Sequence, residues 1–346
     1  MGVALSGIIN SDEVELDYFR NKTIAIDGMN MLYQFATTIR QADGTPLKDS
    51  HGNITSHLTG LFFRINKLLL KEMKLVFVFD GAMPELKRLE RERREKLKTE
   101  ALNSYEDAKE RMDILEMKKF ASRTTHVTKE MVAEATELIT AFGLPVIIAP
   151  AEGEAQASYM VAKGDCDYVG SQDFDCLIYG APKVVRNLSI SLKRKKINAL
   201  TYKAILPEIL SLKKVLAELG LTRDQLIALA MLIGTDFNIG GIKGLGPKKG
   251  LKLVKEKGEN FEELFTEVKF DETFGISWRE VFNLIKHMPV TDKYELKWKR
   301  FDKEKIIDIL VKRHEFSAER IESALESLER EQKSAKQTDL NNFFKK

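Results

Sequence analysis

Four short apolar runs, each closed by an acid or a turn residue, constrain this chain most. They are TIAID (23–27), LVFVFD (75–80), LPVIIAP (144–150) and DYVGSQD (167–173). Such runs, apolar on both alternating sets of side chains, are strands buried on both faces. Helical patterns over 56–73 and 129–142 separate them. This alternation dictates an α/β fold, a mostly parallel central sheet with helices on both faces. A chain of 346 residues has room for a large core, and 43% apolar with 31% charged residues is the balance of a folded, soluble protein. The longest apolar runs are strand-sized, so neither a transmembrane helix nor a secretory segment is expected. Cys166 and Cys176 are the only cysteines and lack metal-knuckle spacing, which predicts a reduced, intracellular setting without structural zinc. Gly2 and Ser6 fit a loose myristoylation pattern, but no second anchor follows.

Residues 84–120 are strongly helical and highly charged, which reads as an excursion outside the main core. From about 222 the chain is helical with glycine turns, and 331–346 reads as a flexible tail. Net charge is only +3, but lysines and arginines concentrate at 87–98, at 193–196 and through Lys243, Lys248, Lys249, Lys252, Lys255 and Lys257. Separate acidic and basic foci suit a protein that holds cations beside a polyanion.

Open α/β sheets bind ligands beyond the carboxyl ends of their strands. Asp27 and Asp80 close two strands, Glu152 and Glu154 open the helix after the third, and Asp173 and Asp175 follow the fourth. Asp236, in LIGTDF, ends a later apolar helix. If its run stays extended, the Asp173/Asp175 pair shares one strand face; a turn at the strand end is the other reading. Singly, each acid could be a cap or turn former. Together they crowd one edge, where two charges ~4 Å apart repel by roughly 4 kcal/mol at an effective dielectric near 20. Bound cations remove that conflict, and oxygen-only donors select a hard ion, Mg²⁺ or Mn²⁺. Two such ions beside a phosphate support in-line hydrolysis. An aspartyl-nucleophile phosphatase would want paired aspartates after the first strand, whereas DGMN supplies one.

GTDFNIGGIKGLGPKKGLKLV (234–254) reads as helix, glycine-rich hairpin, helix. Gly244 and Gly246 free the backbone, Pro247 starts a helix, and Lys248, Lys249 and Lys252 add charge for a duplex phosphate backbone. Lys87 and Arg94, seven apart on one helix face, could stabilise charge on a scissile phosphate, although ERERREK also fits a salt-bridged solvent helix. Tyr33 could stack on a base or sit in the core.

These residues resemble the flap endonucleases, the structure-specific 5′ nucleases of replication and repair, most closely the archaeal type. The resemblance runs nearly end to end. It rests on AIDGMNMLYQF, TSHLTGLFFR, VFVFDGAMPELK, APAEGEAQASYM, SQDFDCLIYG, LIGTDFNIGGIKGLGPKKG, EFSAERI and QTDLNNFF. It implies that Asp27, Asp80, Glu152, Glu154, Asp173, Asp175 and Asp236 are metal-site carboxylates for two Mg²⁺ ions. Lys87 and Arg94 become catalytic, with Arg91 and Arg93 crowding that assignment, and Tyr33 stacks near the scissile nucleotide. It further implies one nuclease core over 1–330. Within it lie a helical gateway and cap over 84–130 that threads a 5′ flap, a helix–hairpin–helix at about 228–256 with K⁺, and a C-terminal helical region over 261–330. Phe316 and Arg320 fall where the family binds a one-nucleotide 3′ flap.

In the tail, Gln337, Leu340, Phe343 and Phe344 give Q-x-x-L-x-x-F-F, an apolar face on a polar tether. This resembles the clamp-interacting peptide of replication proteins and implies a sliding clamp as partner to an otherwise monomeric enzyme. Only Lys345 and Lys346 follow it, which favours the archaeal type and a cytoplasmic or nucleoid location. A non-catalytic, clamp-bound DNA adaptor is the rival reading, and it would show a damaged carboxylate set.

Overall fold

TIAID and KLVFVF pair side by side as parallel strands, Ile24 opposite Leu75 and Ile26 opposite Phe77. This computed structural model describes 3–111, 113, 116, 120, 124–188, 193–195 and 202–343, with 89, 193–195, 202–204 and 334–343 by backbone alone. The strands are β1 (Asp12–Glu13), β2 (Thr23–Asp27), β3 (Lys74–Phe79), β4 (Val146–Ile148), β5 (Tyr168–Gly170), β6 (Lys183–Arg186), β7 (Lys193–Lys195), β8 (Tyr202–Ala204) and β9 (Glu208–Ser211). Seven form one sheet, ordered β1-β9-β6-β5-β2-β3-β4, and β7 and β8 form a separate antiparallel pair. The five strands from β6 to β4 run parallel, while β9 and β1 close the edge antiparallel.

Period two explains why these runs are apolar throughout. Ala25, Val76, Val78 and Val169 pack on one face of the sheet; Ile24, Ile26, Leu75, Phe77, Phe79 and Tyr168 pack on the other. Helices α1 (Gly28–Thr38), α2 (Ser56–Leu69) and α4 (Lys129–Ala141) bury their apolar stripes in the second cluster. Helices α5 (Gly153–Lys163), α6 (Asp175–Ile178), α7 (Leu212–Leu219), α8 (Arg223–Ile233) and α9 (Pro247–Lys257) pack in the first. The charged excursion is α3 (Arg88–Glu110), which buries little beyond Glu90, Ala101 and Ala108.

The DFD segment corrects the extended reading. Strand β5 stops at Gly170, the Ser171 hydroxyl accepts from the Asp173 amide at 3.2 Å, and Asp175 opens α6. Asp173 and Asp175 therefore converge through a turn, because a serine two residues upstream offers the backbone a bond the strand ladder does not.

Helix α8 starts with a capping box between Thr222 and Gln225 and ends at Ile233. After it, Ile242 N donates to Leu232 O at 2.8 Å and folds the hairpin back. Gly244 adopts φ +84°, a left-handed conformation that favours glycine, and Gly246 caps α9 with Pro247 at its first position. Where a flexible tail is expected from 331, the backbone continues as one helix, Ala318–Phe343, consistent with a stretch free of glycine and proline. Gly2 and Phe344 lie outside the described residues, as do the side chains of Gln337, Leu340 and Phe343 and of the 193–196 cluster. Among the described residues no helix is long and apolar enough to cross a membrane, and Cys166 and Cys176 are buried free thiols.

Candidate active site

The carboxyl ends of β5, β2, β3 and β4 lie next to one another, and the acids that follow them share that edge. Asp27 is the N-cap of α1, accepting from the Asn30 amide at 3.0 Å and from the Ser171 hydroxyl at 3.2 Å. Asp80, just past β3, accepts from the Gly153 amide at 2.7 Å, which locks the third strand end to the start of α5. Gly81 lets the two segments approach: a Cβ there would meet Ala149 O at 1.8 Å. Ser171 also reaches Glu154 at 2.7 Å, so one hydroxyl sits between Asp27 and Glu154. The Asn30 side-chain amide donates to Asp173 at 2.9 Å, and the Val3 amide donates to Asp175 at 2.8 Å.

Basic residues close the other side. Lys87 Nζ lies 2.5 Å from Glu152 and 3.1 Å from Asp236. Arg94 donates to Asp236 at 2.8 Å and to buried Glu90 at 2.7 Å. The solvent-helix reading holds for its neighbours: Arg88 pairs with Glu92 and Arg91 with Glu95 on the exposed face. Among the described residues Arg93 pairs with Glu90, and of these arginines Arg94 is the one that reaches an acid of the nest.

The charge conflict is visible in the proton affinities. Burial pushes Asp27 up to about 7; the charges of Asp80 and Asp173 add to this and the Asn30 bond opposes it. Burial likewise pushes Asp175 to about 7, against the Val3 bond and with Asp236 and Asp173 adding. Glu154 is raised well above the carboxylate range by burial and then by Asp27, Asp175 and Asp173. Burial also raises Glu152, more than Lys87 lowers it. Asp236 is the exception: burial raises it, but Lys87 and Arg94 outweigh burial and hold it low. Lys87 is itself held above its ordinary value by Glu152 and Asp236 despite burial, so it stays an ammonium.

Among the described residues no three His, Cys, Asp or Glu side chains form a ready-made shell around a single ion. Lys87 and Arg94 instead occupy Glu152 and Asp236. The donor chemistry still fits a hard cation, since carboxylate oxygens backed by a serine and an asparagine offer only oxygen. Asn30, Ser171, Glu90 and the Val3 amide were not read from the sequence. Asn30 had a signal, three residues after an N-cap aspartate; the other contacts cross the fold.

Elsewhere, Tyr33 is 46% exposed, which removes its core reading. Gly244, Gly246, Lys248, Lys249 and Lys252 are exposed at the hairpin and the start of α9. Phe316 and Arg320 line a cavity of about 280 Å³ with Lys48, Thr55 and Phe63, and the Arg320 guanidinium lies 5.4 Å from the Phe63 ring centre.

The XPG N-terminal domain family matches residues 1–101, and the XPG I-region family matches 143–236. Flap endonuclease 1 of Ignicoccus hospitalis is 48% identical over 96% of this chain and 95% of its own. The chain belongs to the flap endonuclease family. The solved flap endonuclease-1 from Methanococcus jannaschii superposes with a TM-score of 0.73 at 37% identity, covering 94% of this chain and 98% of that one. The catalytic core of Rad2, solved in complex with DNA substrate, gives a TM-score of 0.64 at 25% identity over 92% and 96% of the two chains. This flap endonuclease is thus a structure-specific 5′ nuclease of a metal-dependent family, a phosphodiester hydrolase of replication and repair.

Proposed function

We propose that Asp27, Asp80, Glu152, Glu154, Asp173, Asp175 and Asp236 hold two Mg²⁺ ions, replaceable by Mn²⁺, against which a 5′ flap is cut at its junction with duplex DNA. The observation that carries this reading is the convergence of these acids on one sheet edge, with raised proton affinity at four of them. Bound divalent ions supply water activation and stabilise the leaving oxygen. Lys87 and Arg94, which neutralise Glu152 and Asp236, would stabilise charge developing on a scissile phosphate at this edge. Tyr33 stacks beside the scissile nucleotide. The hairpin amides around Gly244 and Gly246, with Lys248 and Lys249 and a K⁺ ion, grip the duplex backbone without reading sequence. Phe316 and Arg320 receive a one-nucleotide 3′ flap, and the 84–130 gateway passes the 5′ strand. A weaker 5′–3′ exonuclease activity follows from the same centre. The deciding experiment is cleavage of a labelled double-flap substrate with Mg²⁺; equal cleavage of blunt duplex and single strand would overturn the junction specificity.

Protons compete with cations here. Asp27 and Asp175 bind protons at about 7 in the metal-free fold, so the Mg²⁺ concentration for half-maximal rate should rise as pH falls from about 8 to 6. A midpoint independent of pH over that window would remove these two groups from the ion site.

The tail carries the partner. Gln337, Leu340, Phe343 and Phe344 dock a sliding clamp while the enzyme itself stays monomeric and intracellular. Deleting 337–346 should leave cleavage of free flap DNA unchanged and abolish stimulation by the clamp. Loss of basal activity would make the tail structural.

A further inference from the structure

Two consecutive side chains that line the cavity together with Phe316 and Arg320 grip the facing loop. His314 Nδ1 lies 3.0 Å from Asp49 Oδ2, and its Nε2 lies 3.3 Å from Glu134 Oε1 on α4. The next residue, Glu315, accepts from the Ser50 amide at 2.7 Å and from the Ser50 hydroxyl at 2.5 Å. Glu315 has φ +59°, a left-handed backbone that is strained for a residue with a Cβ. That turn is what lets neighbouring side chains reach the same loop, and it aims the Phe316 amide at Leu310 O, 2.9 Å away.

The loop is prepared for this grip. Lys48 and Ile54 bridge antiparallel, and between them Asp49, its side chain fully enclosed, accepts from the amides of His51 at 3.0 Å and Asn53 at 2.8 Å. Glu134 extends the chain of contacts inward to fully buried His57 on α2. There Glu134 Oε2 lies 3.4 Å from His57 Nε2. Lys48 and Thr55 line the cavity from the loop side, and Phe316 and Arg320 line it from the other. Asp49, Ser50, Glu134, His314 and Glu315 therefore tie three separated segments together along one margin of the cavity.

We infer that Asp49 and Glu134, acting through His314 and joined by the Ser50–Glu315 pair, are positioning residues that set this cavity for a displaced 3′ nucleotide. The inference rests on the reading of the cavity given under Proposed function. Neither Asp49 nor Glu134 lines the cavity, so their effect is indirect. Without the clasp, the loop and the 314–317 segment must be brought together on binding. Affinity then falls only for substrates that use the cavity.

The test compares KM and kcat for single-flap DNA with those for the same substrate carrying one unpaired 3′ nucleotide, in wild type, Asp49→Ala and Glu134→Ala. A hydrogen bond to a charged partner is worth about tenfold or more in affinity. We expect wild type to have the lower KM on the double flap. Each variant should raise that KM roughly tenfold, with kcat and single-flap KM unchanged. Variants that keep the wild-type preference, or that lose both substrates equally, overturn the clasp and leave the cavity reading standing. A wild type that does not distinguish the two substrates overturns the cavity reading and the clasp with it. The two substitutions sit on different elements, so a folding failure in one leaves the other decisive.

Discussion

Asp175→Ala should abolish cleavage, with a fall of about a thousandfold or more, while flap DNA binding in Ca²⁺ survives. Asp175 opens α6 at the carboxyl edge of the sheet, with Asp173 and Asp236 among the charges that raise it. Losing one ligand of an ion that stabilises transition-state charge forfeits several kcal/mol of barrier lowering, and each 1.36 kcal/mol is a tenfold loss. The fold should tolerate the change. A carboxyl whose folded affinity for protons is raised contributes stability at low pH and loses it as pH rises through about 7. At pH 8, therefore, removing Asp175 relieves repulsion even as it leaves the Val3 amide without its 2.8 Å partner. Metal-free melting should change little. Unchanged cleavage would place the ion site elsewhere, and a collapsed melting temperature would make Asp175 structural.

Lys87→Ala should slow single-turnover cleavage by roughly a hundredfold to a thousandfold, the scale of losing one preorganised donor to a developing anion. Binding of flap DNA should shift by no more than about threefold, because one phosphate contact among many carries little of the affinity. The geometry is specific: Lys87 closes the short helical turn Glu85–Lys87 and lies between Glu152 and Asp236, two acids far apart in the chain. Lys87→Arg should not restore the rate, since a planar guanidinium does not replace a compact ammonium at a site enclosed on two sides. Equal losses in rate and binding would reduce Lys87 to a tether.

The legible parts of this protein are those where local chemistry and fold agree. TIAID and LVFVFD announce buried strands because every apolar position faces a core, one set toward α5 and α8 and the other toward α1 and α2. The acids at their ends are legible for the same reason, since parallel strands deliver their carboxyl termini to one edge. Pro247 and the glycines before it mark the start of α9 through backbone preference alone.

What escaped reading depends on distant segments meeting. No periodicity predicts that Ser171 divides its hydroxyl between Asp27 and Glu154, or that Val3 reaches Asp175 from 172 residues away. The ambiguity of ERERREK was real, because Arg94 and Arg91 have the same chemistry. Only the reach of Arg94 from α3 to Asp236, against the Arg91 pair with Glu95 on the exposed face, separates them. The extended reading of DFD fails at one serine, whose hydroxyl accepts the Asp173 amide where β5 has already stopped at Gly170.

The most direct measurement is anomalous diffraction from crystals of the enzyme with flap DNA and Mn²⁺. Two Mn²⁺ peaks enclosed by Asp27, Asp80, Glu152, Glu154, Asp173, Asp175 and Asp236, beside the cut phosphate, are the predicted result. Manganese bound away from this edge, with these acids left facing only Lys87, Arg94 and water, would contradict it.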